Sequence, residues 1–224
     1  MRAAVVALGL VMLAGVPATA ADRRVTVDPA TPPWSAVAKV QTNIGAHCGG
    51  VLIAPAVVLT AAHCLYNPRT RALLEPVSVH VLFGYERAQY RWHRRVVRFA
   101  VGPGFEATRR GPPSADWARL ELSEAVPVLP LPLFDGGLSA GMMVALAGYN
   151  QDRAQLLLAD LACQVLRVAA SGGGATLVAH DCEGTRGTSG SPLLARREGG
   201  WAVVGINIAA GRDANLAVDA PFER

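Results

Sequence analysis

Three short segments carry the residue types that acyl transfer needs. Leu59-Thr60-Ala61-Ala62-His63-Cys64 offers an imidazole, Ser114-Ala115-Asp116-Trp117-Ala118-Arg119-Leu120 a carboxylate, and Gly187-Thr188-Ser189-Gly190-Ser191-Pro192-Leu193 a hydroxyl between glycines. A serine hydroxyl is a weak nucleophile at neutral pH and needs a base within hydrogen-bond reach. An imidazole base needs a carboxylate on its other nitrogen to fix its tautomer and stabilise the imidazolium. Glycines beside the serine permit a tight turn whose backbone N–H groups converge on one point, an oxyanion hole. Gly187 and Ser189 are the expected donors. Taken singly, each segment has an ordinary reading: a turn, a core histidine, a capping aspartate. Their conjunction points to a serine hydrolase with His63, Asp116 and Ser189 as catalytic residues.

The four cysteines, Cys48, Cys64, Cys163 and Cys182, allow three pairings. Sequence proximity favours 48–64 and 163–182, each closing a loop worth roughly 3 kcal/mol in the chain-entropy model. The rival is zinc held by the His47-Cys48 and His63-Cys64 pairs. Neighbours on a strand point to opposite faces, and the spacing fits no common zinc pattern. No metal or cofactor is expected.

These residues must be held by a scaffold. Short apolar runs alternate with turn residues along the chain. Val37 to Val40, Gly50 to Ile53, Val57 to Thr60, Val77 to Phe83 and Arg95 to Val101 read as strands in the first half. Met142 to Ala147, Ala162 to Val168, Ala175 to Ala179, Ser191 to Leu194, Trp201 to Ile208 and Asn215 to Val218 follow in the second. Ala61 to Tyr66 suits a short helical turn, and Leu156 to Leu161 is ambiguous between types. Asp22 to Pro33 reads as an extended arm. Such a pattern makes an all-β barrel or sandwich protein. The proline-rich stretch from Val126 to Leu133 is poor strand material and divides the chain in two.

Hydrophobic residues make up 51% of the 224, enough for a sizeable core. Met1 to Ala20 reads as a secretory leader: Arg2, an apolar run from Ala3 to Val16, and an Ala18-Thr19-Ala20 cleavage signal. The run is shorter than the roughly 20 residues of a membrane span. Removing Arg2 with the leader takes the net charge from +4 to +3, too little for a nucleic-acid surface. The run Arg91 to Arg95, with Arg98, Arg109 and Arg110, reads as a solvated face. The expectation is a monomer, secreted or periplasmic, without stable membrane insertion.

With these residues quoted, the chain resembles the chymotrypsin-like serine peptidase family. TAAHC and GTSGSP, with DWARL between them, match its motifs in its order of His, Asp and Ser. CGGVLIAPAVVLTAAHC resembles the family's first disulfide loop. The likeness runs from about Trp34 to Val218. It implies an all-β fold of two six-stranded antiparallel β-barrels with the active site in the cleft between them. It also implies a serine endopeptidase working through an acyl-enzyme. With the linker, residues 1–20 would be the leader, 21–130 the first barrel carrying His63 and Asp116, and 131–224 the second carrying Ser189.

Two departures matter. Digestive members carry Asp before the nucleophile, which a freshly cut N-terminus pairs with to organise the oxyanion hole. Thr188 stands there instead, so this switch is not expected. GTSGSP more resembles the GNSGSP of bacterial glutamyl endopeptidases, yet their Gly-Ile-His is Gly205-Ile206-Asn207 here, which gives no support for glutamate specificity. Glu183, six residues before Ser189, would favour Arg or Lys in the substrate if it lay at the pocket base. Ala210, if it replaces the family's usual glycine, would narrow the pocket and favour small side chains. The edge from Ile208 to Ala210 is expected to pair with substrate backbone. Substrate-binding candidates are thus Glu183, Asn207, Ile208 and Ala210.

Overall fold

The computed structural model describes residues 21–222, and the expected leader, residues 1–20, lies outside them. Fifteen strands and a few 3-10 turns make up the chain, with no α-helix among the described residues. The first sheet closes into a six-stranded antiparallel barrel. Its strands are β2 (Val37–Thr42), β3 (His47–Ala54), β4 (Val57–Thr60), β7 (Val79–Phe83), β8 (Trp92–Val101) and β9 (Ala118–Leu122), in spatial order β2-β3-β4-β9-β8-β7. A small hairpin of β5 (Tyr66–Asn67) and β6 (Ala72–Leu73) stands outside it.

The second barrel uses β10 (Met143–Gly148), β11 (Leu158–Ala170), β12 (Thr176–His180), β13 (Pro192–Arg197), β14 (Gly200–Ala209) and β15 (Asn215–Asp219). It closes where β11 pairs with β12. The expected two-barrel fold is therefore present. The proline-rich stretch runs between the barrels: the Leu131 N–H donates to Leu52 O of the first, and the Phe134 N–H to Val203 O of the second.

Two of the differences from the sequence reading bear on the site. Ala118–Leu122 is a barrel strand, with Ala118, Leu120 and Leu122 buried and the residues between them half-buried. Its alternation is a regular strand signal, overlooked because the segment reads first as a chemical motif. The arm also forms a strand, β1 (Arg24–Thr26), and it adds to β11 of the second barrel. Assignment of all of 21–130 to the first barrel thus fails at its start. The cause is that β11 runs 13 residues while β12 pairs only with Val165 to Ala170, so at Leu158 to Asp160 the edge opposite β10 takes another strand.

The cores follow from alternation. Val40, Val51, Leu59, Val81, Leu120 and their neighbours fill the first barrel, and Val144, Leu146, Val165, Val178 and Val204 fill the second. A third cluster, with Val37, Leu82, Tyr85, Tyr149 and Leu157, joins the barrels. Lys39, almost fully buried, reaches from β2 over the Tyr85 ring at 4.0 Å and donates to Ala154 O at 2.7 Å. Burial pushes its ammonium down to about 8. Half of the basic run's arginines are engaged: Arg98 forks onto Glu121, Arg94 donates to Ala125 O, and Arg109 pairs with Glu106.

One core-edge carboxylate makes stability depend on pH. Asp219 ends β15 opposite Thr176, and burial pushes its pKa up to about 6. A raised carboxyl pKa means the fold favours the protonated form. Its contribution is intact below about pH 4 and is lost as pH rises through 6. Asp219→Asn is expected to raise Tm at pH 7.5 by about 2–4 °C, corresponding to ~1 kcal/mol after discounting for solvent. The gain should vanish near pH 4, and calorimetry at the two pH values checks it. An equal gain at both would refute the assignment.

Candidate active site

His63 lies in the 3-10 turn Ala62–Leu65 that leaves β4, and the Cys48–Cys64 disulfide ties that turn to β3. Asp116 follows the turn Pro113–Ala115 and stands two residues before β9. Because β9 pairs with β4, the two residues arrive side by side. Asp116 is 5% exposed. One of its oxygens accepts His63 Nδ1–H at 2.7 Å and the other accepts the His63 backbone N–H at 2.8 Å. This double contact fixes ring position and tautomer together: the proton sits on Nδ1, leaving Nε2 as a lone-pair acceptor.

Ser189 comes from the loop between β12 and β13. Its carbonyl accepts the Gly49 N–H at 2.7 Å, and Gly49 adjoins Cys48 of the disulfide. Two short links thus carry the second-barrel loop to the histidine of the first. Side-chain contact is another matter. Among the described residues, Ser189 Oγ and His63 Nε2 have no hydrogen bond to each other or to any other group. Unliganded catalytic hydrogen bonds are commonly long and tighten with substrate.

The loop conformation depends on two glycines. Gly187 has φ +96°, and a Cβ there would meet Tyr149 O at 2.5 Å and His47 Nε2 at 2.8 Å. Gly190 has φ +79°, and a Cβ would meet Gly49 O at 2.4 Å. Neither the Gly187 nor the Ser189 N–H has a protein acceptor among the described residues, so both are free to bind an anionic oxygen. Gly187→Ala keeps the N–H but cannot keep φ +96° against Tyr149 O, so the donor turns away and kcat is expected to fall about 10²- to 10³-fold, the usual cost of one oxyanion donor. Steady-state kinetics read it, and a change confined to KM would exclude the donor role.

Thr188 has its own supports. It is buried, its Oγ1 donates to Thr185 O at 2.7 Å, and Asn207 Nδ2 donates to its carbonyl and its Oγ1 at 3.3 Å each. With the Asn207 amide so oriented, its oxygen faces His180 Nε2 at 3.2 Å, so Nε2 carries the His180 proton. Burial holds the His180 pKa down to about 4, leaving the ring neutral. Neutral hydrogen bonds thus hold the position where an ion pair was expected to be missing. Asn207 serves this turn and does not line the adjoining cavities.

The other expected site residues divide. Ile208 lines a cavity of about 270 Å³ with His63, Asp116, Arg110 and Ala209. Ala210 is exposed beyond the end of β14. Glu183 borders a second cavity, about 310 Å³, with His180, Gly184, Thr185, Arg24 and Asn215. Its carboxylate already accepts the Arg23 N–H at 2.8 Å, with the Arg23 guanidinium 3.9 Å away. That weakens the case for a basic substrate side chain. The four cysteines form the two pairs that proximity favoured. The close group of Cys48, His63 and Cys64 holds its two sulfurs in one of them.

The family model described as Trypsin matches residues 23–222. The chain belongs to the trypsin family. It is accordingly a serine endopeptidase, and peptides or proteins are its substrates. Among solved structures, this trypsin-family peptidase is similar to a Glu endopeptidase solved in complex with MPD. The TM-score is 0.73 and the identity 21%, over 91% of this chain and 94% of that one. At that identity the likeness is one of fold. Arg24, Asn150 and Asp152 back the loop carrying Ser189, a role that no local pattern marks. An acid and an amide two residues apart after an apolar strand are too common to flag alone.

Proposed function

We propose that the peptidase hydrolyses peptide bonds through an acyl-enzyme on Ser189, with His63 as base and acid and Asp116 as its orienting carboxylate. The observation that carries this reading is the His63 Nδ1 to Asp116 contact of 2.7 Å, which leaves Nε2 as the free acceptor. In acylation, Ser189 Oγ attacks the scissile carbonyl carbon and its proton passes to His63 Nε2. Negative charge on the carbonyl oxygen is met by the Gly187 and Ser189 N–H groups. His63 then protonates the departing amine as the C–N bond breaks. Water repeats the sequence on the ester, returning the proton to Ser189. Substrate backbone would lie along the Ile208 to Ala210 edge as an added strand.

Export is the compartment that fits. Two disulfides belong to an oxidising environment, and no helix among the described residues is long and apolar enough to cross a membrane. Cleavage after Ala20 would release a chain beginning at Ala21. The test of the function is exposure of the exported chain to a fluorophosphonate, with intact mass read afterwards. One covalent adduct on Ser189 is expected. A folded protein that gains no mass would refute the mechanism.

A further inference from the structure

The segment just after the expected leader is bound into the second barrel by side chains rather than by a terminal amine. Arg24, 9% exposed, donates from Nη1 to Asn150 Oδ1 at 2.8 Å and from Nη2 to Asp152 Oδ2 at 2.7 Å. Asp22 grips the same guanidinium through Nε at 2.9 Å and also takes Arg153. Two cations and two carboxylates therefore form a charge-balanced cluster.

Its position is what matters. Asn150 is buried, and its Oδ1 also accepts the Thr185 N–H at 3.0 Å. Asp152 Oδ1 accepts the Thr185 hydroxyl at 3.1 Å. Thr185 O in turn receives both the N–H and the hydroxyl of Thr188, and Gln151 N–H donates to Arg186 O at 2.6 Å. The stretch 150–152 is thus the backing of the turn 185–188, and Arg24 clamps its two side chains. Arg23 adds a second fixing. It donates to the fully buried Asp160 at 2.9 Å, and that same carboxylate oxygen accepts the Glu183 N–H at 2.8 Å. The pairing of β1 with β11 sets where both arginines fall.

We infer that Arg24 is a positioning residue for the oxyanion loop, acting through Asn150 and Asp152 on Thr185, so that the arm is a working part of the active site. The inference rests on the proposed role of Gly187 and Ser189. Loss of the guanidinium removes the group that joins Asn150 to Asp152 and leaves Thr185 as the donor to both, and small displacements near a catalytic centre cost rate steeply.

The experiment compares wild type with Arg24→Ala by fluorophosphonate labelling rate, kcat, KM and amide hydrogen exchange over residues 183–190. Arg24→Ala is expected to lower labelling and kcat about 10- to 100-fold with little change in KM. Exchange at Thr185 to Thr188 should speed up while barrel strands keep their protection. Added guanidinium ion, at concentrations too low to unfold the protein, should restore part of the rate by refilling the site. If Arg24→Ala does not fold, Arg24→Lys is read the same way, since it keeps the charge and loses the two-residue fork. Unchanged rate, or a rate loss without faster exchange in the loop, overturns the inference while leaving the catalytic reading intact. A wild type inert to the probe overturns the catalytic reading instead, and the inference with it.

Discussion

Ser189→Ala is expected to lower kcat by about 10⁶-fold and to abolish fluorophosphonate labelling. The size follows from the chemistry, since without Oγ there is no acyl-enzyme and only the oxyanion hole and binding remain. The variant should stay folded. Ser189 holds the loop through its backbone carbonyl, which still accepts the Gly49 N–H, while Gly187 and Gly190 keep the left-handed conformations that shape the turn. Thr188 retains its bonds to Thr185 and Asn207. Tm should therefore move little, and a circular dichroism melt beside the kinetics separates lost chemistry from lost fold. Retention of a few per cent of wild-type turnover would refute Ser189 as nucleophile.

Asp116→Asn carries the second-largest expected effect, about 10⁴-fold in kcat. Both Asp116 oxygens accept hydrogens, one from His63 Nδ1 and one from the His63 backbone. An asparagine has one acceptor and one donor end. If its oxygen keeps the backbone N–H, its NH₂ faces Nδ1, and Nδ1 must become the acceptor. The ring proton then moves to Nε2, where it blocks uptake of the serine proton. Nitrogen-15 NMR of the imidazole reads this tautomer directly, and kinetics read its cost. A loss below about tenfold, or an unchanged tautomer, would remove Asp116 from the orienting role.

Much of the site is legible in the residues because its motifs are local. TAAHC and GTSGSP each combine a reactive group with the small residues its backbone needs. Gly187 and Gly190 bear this out: at both, a Cβ would collide with backbone of a neighbouring segment. Strand recognition worked for the same reason, since alternation is a property of five or six consecutive residues. It failed at Ala118–Leu122 only because those residues were read for chemistry first. Specificity was not legible. The Glu183 carboxylate meets Arg23, 160 positions away in the chain. The Asn207 amide spans His180 and Thr188.

The sequence by itself pointed to an all-β fold, favoured the disulfide pairs and, through its resemblance to the chymotrypsin-like family, implied two barrels and the candidates His63, Asp116 and Ser189, because motif chemistry and strand periodicity are written in neighbouring residues. Only the tertiary structure decided that the arm crosses to the second barrel, that Thr188 is held by neutral hydrogen bonds, and that Arg24 braces the loop behind it. Those facts depend on which distant groups meet. That is set by strand register and barrel closure, and by the requirement that buried donors and acceptors be matched, none of which a local pattern encodes.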